Sequence, residues 1–256
     1  LRVILTVKER QKPRLPIEAE SIVPRNFRDP DQELIVAKGN KELPLETVFT
    51  KIVSGTASSA DDIEVILRGD TSRIKRVGEY MDGGKIRIEG DIGMHCGNFM
   101  SAGTIEICGN ADSWLGREMR GGSIICHGNV GDYCGSGYRG EKRGMRGGTI
   151  EVFGNSGDFT AETLSGGAVT IHGNAGDLCG VEMREGTLTI MGSCSRICGN
   201  MTGGTCFVHG TVVDMLPTFI NKGTVMVDGA EFTKFFGDIA NRGKGTLFIR
   251  DYKYMD

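Results

Sequence analysis

Eight cysteines and four histidines are the residues of this 256-residue chain best suited to metal or redox chemistry. Thiolates hold zinc or iron–sulfur clusters when they recur at short spacing, above all as Cys-x-x-Cys pairs. The cysteines fall at Cys96, Cys108, Cys126, Cys134, Cys179, Cys194, Cys198 and Cys206, and no two stand in that relation. Zinc and cluster spacings are therefore absent. His127, His172 and His209 are more suggestive, because each stands immediately before a glycine in a repeated context. The chain has no Ser/His/Asp or Cys/His arrangement with supporting context, and no pair of carboxylates marks a cleft. What these side chains could do depends on the elements that carry them.

Those elements are repeats. One copy runs Met100-Ser-Ala-Gly-Thr-Ile-Glu-Ile-Cys-Gly-Asn110, and the glycine closing each such run recurs at Gly90, Gly109, Gly128, Gly154, Gly173, Gly192, Gly210 and Gly229. The intervals are 19, 19, 26, 19, 19, 18 and 19 residues, so one repeat carries seven extra. Inside each repeat apolar residues alternate, as in Ile105 and Ile107, Ile150 and Val152, Val169 and Ile171, or Val225 and Val227. A two-residue period marks a strand with one face buried, and no 3.6-residue pattern competes with it. One repeat cannot bury its own apolar face, whereas repeats stacked at about 4.8 Å share a continuous core. The expected fold is all-β: a single-stranded parallel β-helix of about eight coils of ~19 residues, with N- and C-terminal caps.

Composition sets bounds. The 40 glycines are periodic, so disorder is the wrong explanation for them, and a net charge of −3 gives no reason to expect nucleic acid or an anionic membrane as partner. No apolar run approaches the roughly 20 residues of a membrane span. No signal peptide is evident, although the chain begins Leu1-Arg2 and its native start is open. Free thiols and a cytoplasmic setting are the expectation. Residues 1–62 hold five of the six prolines (Pro13, Pro16, Pro24, Pro30, Pro44) and are expected to form a leader that caps one end. Some helical spacing marks 45–53, and 54–62 has the small, polar composition of a linker. Residues 63–229 are expected to form the repeat body. Residues 230–256, with Phe232, Phe235 and Phe236, are expected to close the other end.

The repeat assigns positions. Six residues after each closing glycine come Cys96, Leu115, Cys134, Thr160, Cys179, Cys198 and Leu216. Cysteine exchanging with leucine there behaves as a small buried hydrophobe, although thiols on adjacent coils, such as Cys179 and Cys198, could approach disulfide range. Immediately after the glycine come Asp91, Asn110, Asn129, Asn155, Asn174, Ser193 and Thr211, a column able to hydrogen-bond along the stack. The histidines lie on alternate coils, about 10 Å apart, too far to share one metal.

If Ile105 and Ile107 point inward, their neighbours point outward. The outward positions include Ile125, Phe153, Met191, Phe207 and Met226, an apolar stripe where an isolated protein would be polar; such a patch marks a partner interface. Cover from the N-terminal segment is the alternative. The seven-residue insertion, between Gly135 and Met145, is expected to project, carrying Tyr138, Arg139, Lys142 and Arg143 as a docking loop. No catalytic, cofactor-binding or metal-binding residue is assigned.

The Met-x-Gly-Gly-x-Ile-x-Ile-x-Gly-Asn repeat resembles the glycine-repeat superfamily shared by the C-terminal domain of glutamate synthase large subunits and the C subunits of formylmethanofuran dehydrogenases. The insertion Gly137-Tyr-Arg-Gly140 through Arg143-Gly-Met145, the length, and the leader Pro16-Ile-Glu-Ala-Glu-Ser-Ile-Val-Pro24 look like those of the dehydrogenase C subunits. The resemblance implies a scaffold in a complex that reduces carbon dioxide to formate at a tungsten or molybdenum pterin and condenses it with methanofuran at a binuclear metal site. It implies as partners an amidohydrolase-like subunit, the pterin-bearing catalytic subunit and iron–sulfur subunits, with the cofactors on those chains and none on this one. A component of a bacterial formyltransferase/hydrolase complex and a glutamate-synthase-type spacer are the alternatives.

Overall fold

Alternating apolar residues separated by glycine corners leave each repeat one strand whose inward side chains need a neighbour above and below. The computed structural model, which describes residues 1–8, 15–29 and 31–255, meets that need with one large, mostly parallel sheet of fourteen strands. The chain is nearly all β. Ala102–Ile107 pairs in parallel with Asp82–Ile88 on one side and Ser123–Cys126 on the other, and Arg146–Val152, Ser165–Ile171, Glu185–Ile190 and Thr205–Met215 continue the order.

Register aligns two buried rails across the sheet. Ile86, Ile105, Ile124, Ile150, Val169, Leu188 and Cys206 form one; Ile88, Ile107, Cys126, Val152, Ile171, Ile190 and Val208 form the other. Each aliphatic residue so buried contributes about 1.5–3 kcal/mol relative to exposure. Inter-repeat hydrogen bonds continue beyond the strands. Gly109 N donates to Gly90 O (3.0 Å), Gly116 N to Cys96 O (2.8 Å) and Arg120 N to Met100 O (2.7 Å), so successive repeats are tied on every side.

Close approach at the closing glycine makes this possible. A Cβ on Gly128 would lie 2.6 Å from both Gly109 O and Asn110 Oδ1. In the space left by its absence, Asn110 Oδ1 accepts from Asn129 N (2.8 Å), Asn129 Oδ1 from Asn155 N (2.8 Å) and Asn155 Oδ1 from Asn174 N (2.8 Å). Asp91 begins this ladder, and Ser193 and Thr211 end it. The column after the glycine thus bonds repeat to repeat through side chain and backbone.

Antiparallel elements join the stack at its two ends. The rails continue into the N-terminal segment, where Arg2–Val7 pairs in parallel with Glu64–Arg68 and sets Val3 on Val65 and Leu5 on Leu67. A boundary at residue 62 therefore falls within a continuous sheet. The 45–53 stretch is one helical turn, Leu45–Val48, followed by Phe49–Ser54, an antiparallel strand on the sheet edge. Residues 54–62 include a 3-10 turn, Ala60–Asp62, whose capping box joins Ser59 and Asp62. A small sheet of four strands, including Ile17–Glu18 and Ile74–Lys75, lies beside this end. Pro13 and Pro30 lie outside the described residues.

At the other end, Gly229 does not close a repeat. Asp228 (φ 48°) and Gly229 (φ 78°) form the two-residue turn of a hairpin between Ile220–Val227 and Ala230–Gly237. Two successive positive-φ residues match the twist of an antiparallel pair, as an Asp-Gly turn does. The rung stacked on Thr205–Val208 is instead Thr246–Ile249, with Leu247 and Ile249 completing the rails. Val225 and Val227 are only half-buried.

If the glycine's close approach governs the stack, Gly128→Ala should destabilise more than Asn129→Ala. The latter forfeits hydrogen bonds worth about 1 kcal/mol each, whereas the former must move backbone. Thermal melts giving the opposite order would remove the constraint.

Candidate interaction surface

On the outward side of the sheet the same register stacks side chains into columns. Near the N-terminal end these are ion pairs: Arg68 Nε lies 2.8 Å from Glu89 Oε2, and Arg87 bridges to Glu106. Burial would raise the Glu106 carboxyl, but hydrogen bonds from Arg87 and His127 hold it below the ordinary value. Next comes a π ladder. The Phe153 ring stacks between His127 (5.4 Å, 14°) and His172 (4.6 Å, 1°). Each imidazole is held by a carboxylate, His127 Nε2 at 3.2 Å from Glu106 Oε1 and His172 Nε2 at 2.8 Å from Glu151 Oε1. The histidines are thus separated by a ring, not joined at a site.

The five residues expected to form the stripe divide. Phe153 is 46 % and Met191 42 % exposed, and Ile125 is half-buried between Glu106 and Glu151. Phe207 stacks on Phe248 (4.8 Å) and meets the edge of Phe232, which the C-terminal hairpin lays over this face. The covering element is the C-terminal hairpin, not the N-terminal segment. A cavity of about 260 Å³ remains beneath it, lined by Thr189, Phe207, His209 and Phe232. Met226 is 65 % exposed, but it lies on the hairpin's edge strand and outside the column. Sequence alternation alone cannot separate a stacked rung from a hairpin arm.

A second arrangement, which the sequence pattern did not bring to notice, occupies the corner five residues past each closing glycine. His95, Trp114, Tyr133 and Phe159 stack at 5.2, 4.9 and 5.0 Å, all with φ between 57° and 68°. Left-handed backbone costs a non-glycine residue about 1–2 kcal/mol, and ring stacking returns about 0.5–1.5 kcal/mol per pair. A signal exists in the sequence: large residues recur at this offset. Beside the corner, Tyr80 stacks on Phe99 (4.7 Å), and the Arg117 guanidinium lies 4.6 Å from the Phe99 ring and 5.0 Å from that of Tyr138.

Tyr138 comes from the insertion, which therefore folds back instead of projecting freely. Its ring also tilts onto Trp114 at 6.0 Å. The loop base is tied by Gly144 N to Thr163 O (2.9 Å) and Met145 N to Gly135 O (3.0 Å). Arg139, Lys142 and Arg143 remain exposed. In this corner Trp114 Nε1, Arg117 Nε and Asn98 Oδ1 are buried without hydrogen-bond partners among the described residues. Asn98 Nδ2 donates to His95 Nδ1 (3.1 Å), an arrangement that requires neutral imidazole. Burial, with Arg117 and Arg76 nearby, lowers the His95 pKa to about 4.

The thiols have little donor chemistry to offer. Cys96, Cys134, Cys179 and Cys198 are buried at the six-after position, as are Cys126, Cys194 and Cys206 elsewhere; Cys108 is exposed. Burial pushes Cys126 to about 11 and Cys179 to about 12. Among the described residues no three His, Cys, Asp or Glu side chains converge as a metal-binding group. No helix among them is long and apolar enough to cross a membrane.

Glycine-cornered rungs with side chains arrayed in ladders define an all-β repeat protein of the glycine-repeat class. No family model matches the chain. The C subunit of the tungsten-containing formylmethanofuran dehydrogenase 2 of Methanococcus maripaludis is 47% identical over 254 residues, covering 91% of this chain and 92% of the relative. The chain belongs to the family of formylmethanofuran dehydrogenase C subunits. The C subunit of the molybdenum-containing enzyme 1 of Methanosarcina barkeri is 40% identical over 85 residues (32% of this chain, 28% of the relative). That of the tungsten-containing enzyme 2 of Methanothermobacter thermautotrophicus is 39% identical over 100 residues (37% and 36%). In these two alignments the chain spans only about a third of the relatives' length. Among solved structures, a chain of the formyltransferase/hydrolase complex (FhcABCD) from Methylorubrum extorquens, determined with methylofuran, superposes with a TM-score of 0.84 at 26% identity, covering 96% of this chain and 98% of that one.

Two measurements test the geometry. Native alkylation should modify Cys108 quickly and the seven other thiols only after denaturation; fast native labelling of Cys96 or Cys134 would contradict the inward assignment. His95 should contribute stability fully above its unfolded pKa of about 6.5. That contribution is lost as pH falls toward the folded value of about 4, because the unfolded chain then binds the extra proton. Melting temperature plotted against pH should therefore be flatter between those values in His95→Gln than in the parent protein.

Proposed function

We propose that this chain is a non-catalytic scaffold subunit of a formylmethanofuran dehydrogenase complex, in which carbon dioxide is reduced to formate and condensed with methanofuran to N-formylmethanofuran. The observation that carries this reading is identity at 47% along nearly the whole of a dehydrogenase C subunit. Inter-repeat bonding on every side supports a closed parallel β-helix of about eight ~19-residue coils, and a rigid rod of that kind suits a scaffold. In this reading the tungsten or molybdenum pterin, the iron–sulfur clusters and the binuclear metal belong to the catalytic, iron–sulfur and amidohydrolase-like partner subunits. The buried, high-pKa thiols and ring-separated histidines of this chain do not fit such groups. The complex in this reading works in the cytoplasm. A second reading, a component of a formyltransferase/hydrolase complex without redox chemistry, is favoured by the structural likeness to the Methylorubrum protein.

Partner contacts are assigned to Ile125, Phe153 and Met191 on the sheet face, to Tyr138, Arg139, Lys142 and Arg143 on the loop, and to Met226 on the hairpin. Phe207 is expected to act mainly through the hairpin that covers it. Truncating a buried interface aromatic costs about 2 kcal/mol or more of binding. Phe153→Ala should weaken co-purification with the other subunits far more than it lowers the isolated chain's melting temperature, where only its stacking on His127 and His172 is lost. Ile150→Ala should do the reverse, costing about 2–5 kcal/mol of fold stability, and Phe207→Ala should lower both. Equal behaviour of Phe153→Ala and Ile150→Ala would overturn the assignment. Metal analysis and native mass spectrometry of the assembled complex separate the two readings, since only the dehydrogenase carries tungsten or molybdenum.

A further inference from the structure

Charge is distributed unevenly along one corner of the stack. The residue following the buried Met or Leu of each repeat occupies a single column: Asp82, Ser101, Arg120, Arg146, Ser165, Arg184 and Thr202. It is tied at strand spacing by bonds such as Arg146 N to Met119 O (2.7 Å), Ser165 N to Met145 O (2.8 Å) and Arg184 N to Leu164 O (2.8 Å). Ser165 leaves a gap between two arginines, and the insertion loop brings a third beside it. Arg143, Arg146 and Arg184 thereby line a concavity of about 250 Å³ together with Ser165 and Glu185. Arg143 is positioned by the clamped base of the loop, where a Cβ on Gly144 would lie 2.6 Å from Glu162 O.

These cations are poorly compensated. Arg143 and Arg184 enter none of the ion pairs among the described residues, and Arg146 reaches only Glu118, at 3.8 Å. Three guanidinium groups face one lining carboxylate, Glu185, in a chain whose net charge is −3. Like charges held together at a concave surface repel, and opposite charge on a partner relieves them. Guanidinium forks match carboxylates bidentately. From Arg120 to Arg184 the column spans three strand spacings, about 14 Å, the length of an extended segment of four or five residues.

We infer that this concavity binds an acidic, extended segment of a partner subunit, with its carboxylates seated on Arg143, Arg146 and Arg184. The inference rests on the interaction role proposed above and adds the site and chemistry of one contact. Seven residues inserted into a single repeat thus convert a periodic corner into one unique anion-binding site.

The test uses the full chain co-expressed with the other subunits of the complex. The double variant Arg143→Glu/Arg184→Glu should lose assembly by tenfold to a hundredfold, on the order expected when a charge pair at an interface is broken. Its melting temperature should be unchanged, because both side chains are exposed. Arg143→Lys should retain assembly in part. The amine it introduces should couple through carbodiimide to an Asp- or Glu-containing peptide of a partner subunit. Assembly of the charge-reversed variant equal to that of the parent at low salt would overturn the inference. So would calorimetric binding of inorganic phosphate that depends on Arg143 and Arg184 while assembly does not, which would make the concavity a small-anion site. Failure of the unaltered chain to co-purify with any such subunit would instead remove the proposed function, and this inference with it.

Discussion

The structure depends on how closely one repeat can approach the next at its closing glycine. A Cβ on Gly109, Gly128, Gly154, Gly173 or Gly192 would fall within about 2.7 Å of the preceding repeat's backbone or of its asparagine amide oxygen. Without that Cβ, the backbone N–H of each following residue reaches a side-chain acceptor one repeat away, and the ladder fixes the longitudinal register. Register then determines the rest. A shift by one residue would exchange the buried rails for the outward columns, so the core and the surface are set by the same contact.

A stack in strict register places like positions on one another, which makes its surface a set of ladders. Like charges cannot be stacked at about 4.8 Å without cost. On the sheet face opposite charges adjoin, as with Arg68 beside Glu89 and Arg87 beside Glu106. The corners, by contrast, do stack like charges, Arg120 beside Arg146 and Asp132 beside Asp158, the latter tied by Asp158 N donating to Asp132 Oδ1. Rings stack well, and they do so at the corner of His95, Trp114, Tyr133 and Phe159, where the backbone is left-handed. Stacking compensates in part for a conformation that glycine would adopt freely.

Much of this was legible because it is periodic. The inward rails, the buried cysteines six residues after the glycine and the asparagine column all follow from an interval of 19 residues. Where the period fails, the sequence was misleading. Residues 220–229 have the alternation and terminal glycine of a repeat, yet Asp228-Gly229 is a hairpin turn, and the rung that continues the stack lies at Thr246–Ile249. An alternating strand has the same pattern in a parallel rung as in an antiparallel arm, so only the turn residues could distinguish them. The insertion was visible as seven extra residues, but the return of Tyr138 onto Arg117 and Trp114 was not, because a cation–π contact across repeats leaves no local pattern.

Periodicity also constrains where recognition can reside. A partner docking on identical ladders could slide by one repeat at little cost, since each step presents nearly the same groups. Unique registration must come from features that occur once. Among the described residues three stand out: the antiparallel edge strand Phe49–Ser54 and its neighbours at one end, the hairpin Ile220–Gly237 at the other, and the insertion loop between them. The two antiparallel elements interrupt the parallel stack at its ends, whereas the loop interrupts the period within it. The hairpin sets Lys222 over Phe236 and Lys234 over Phe248, whereas the loop joins three guanidinium groups at one concavity to an ordered aromatic corner. On the scaffold role proposed above, specific placement of a partner along the stack concentrates near Arg143, with Phe153 and Met191 supplying apolar contact area on the adjoining face.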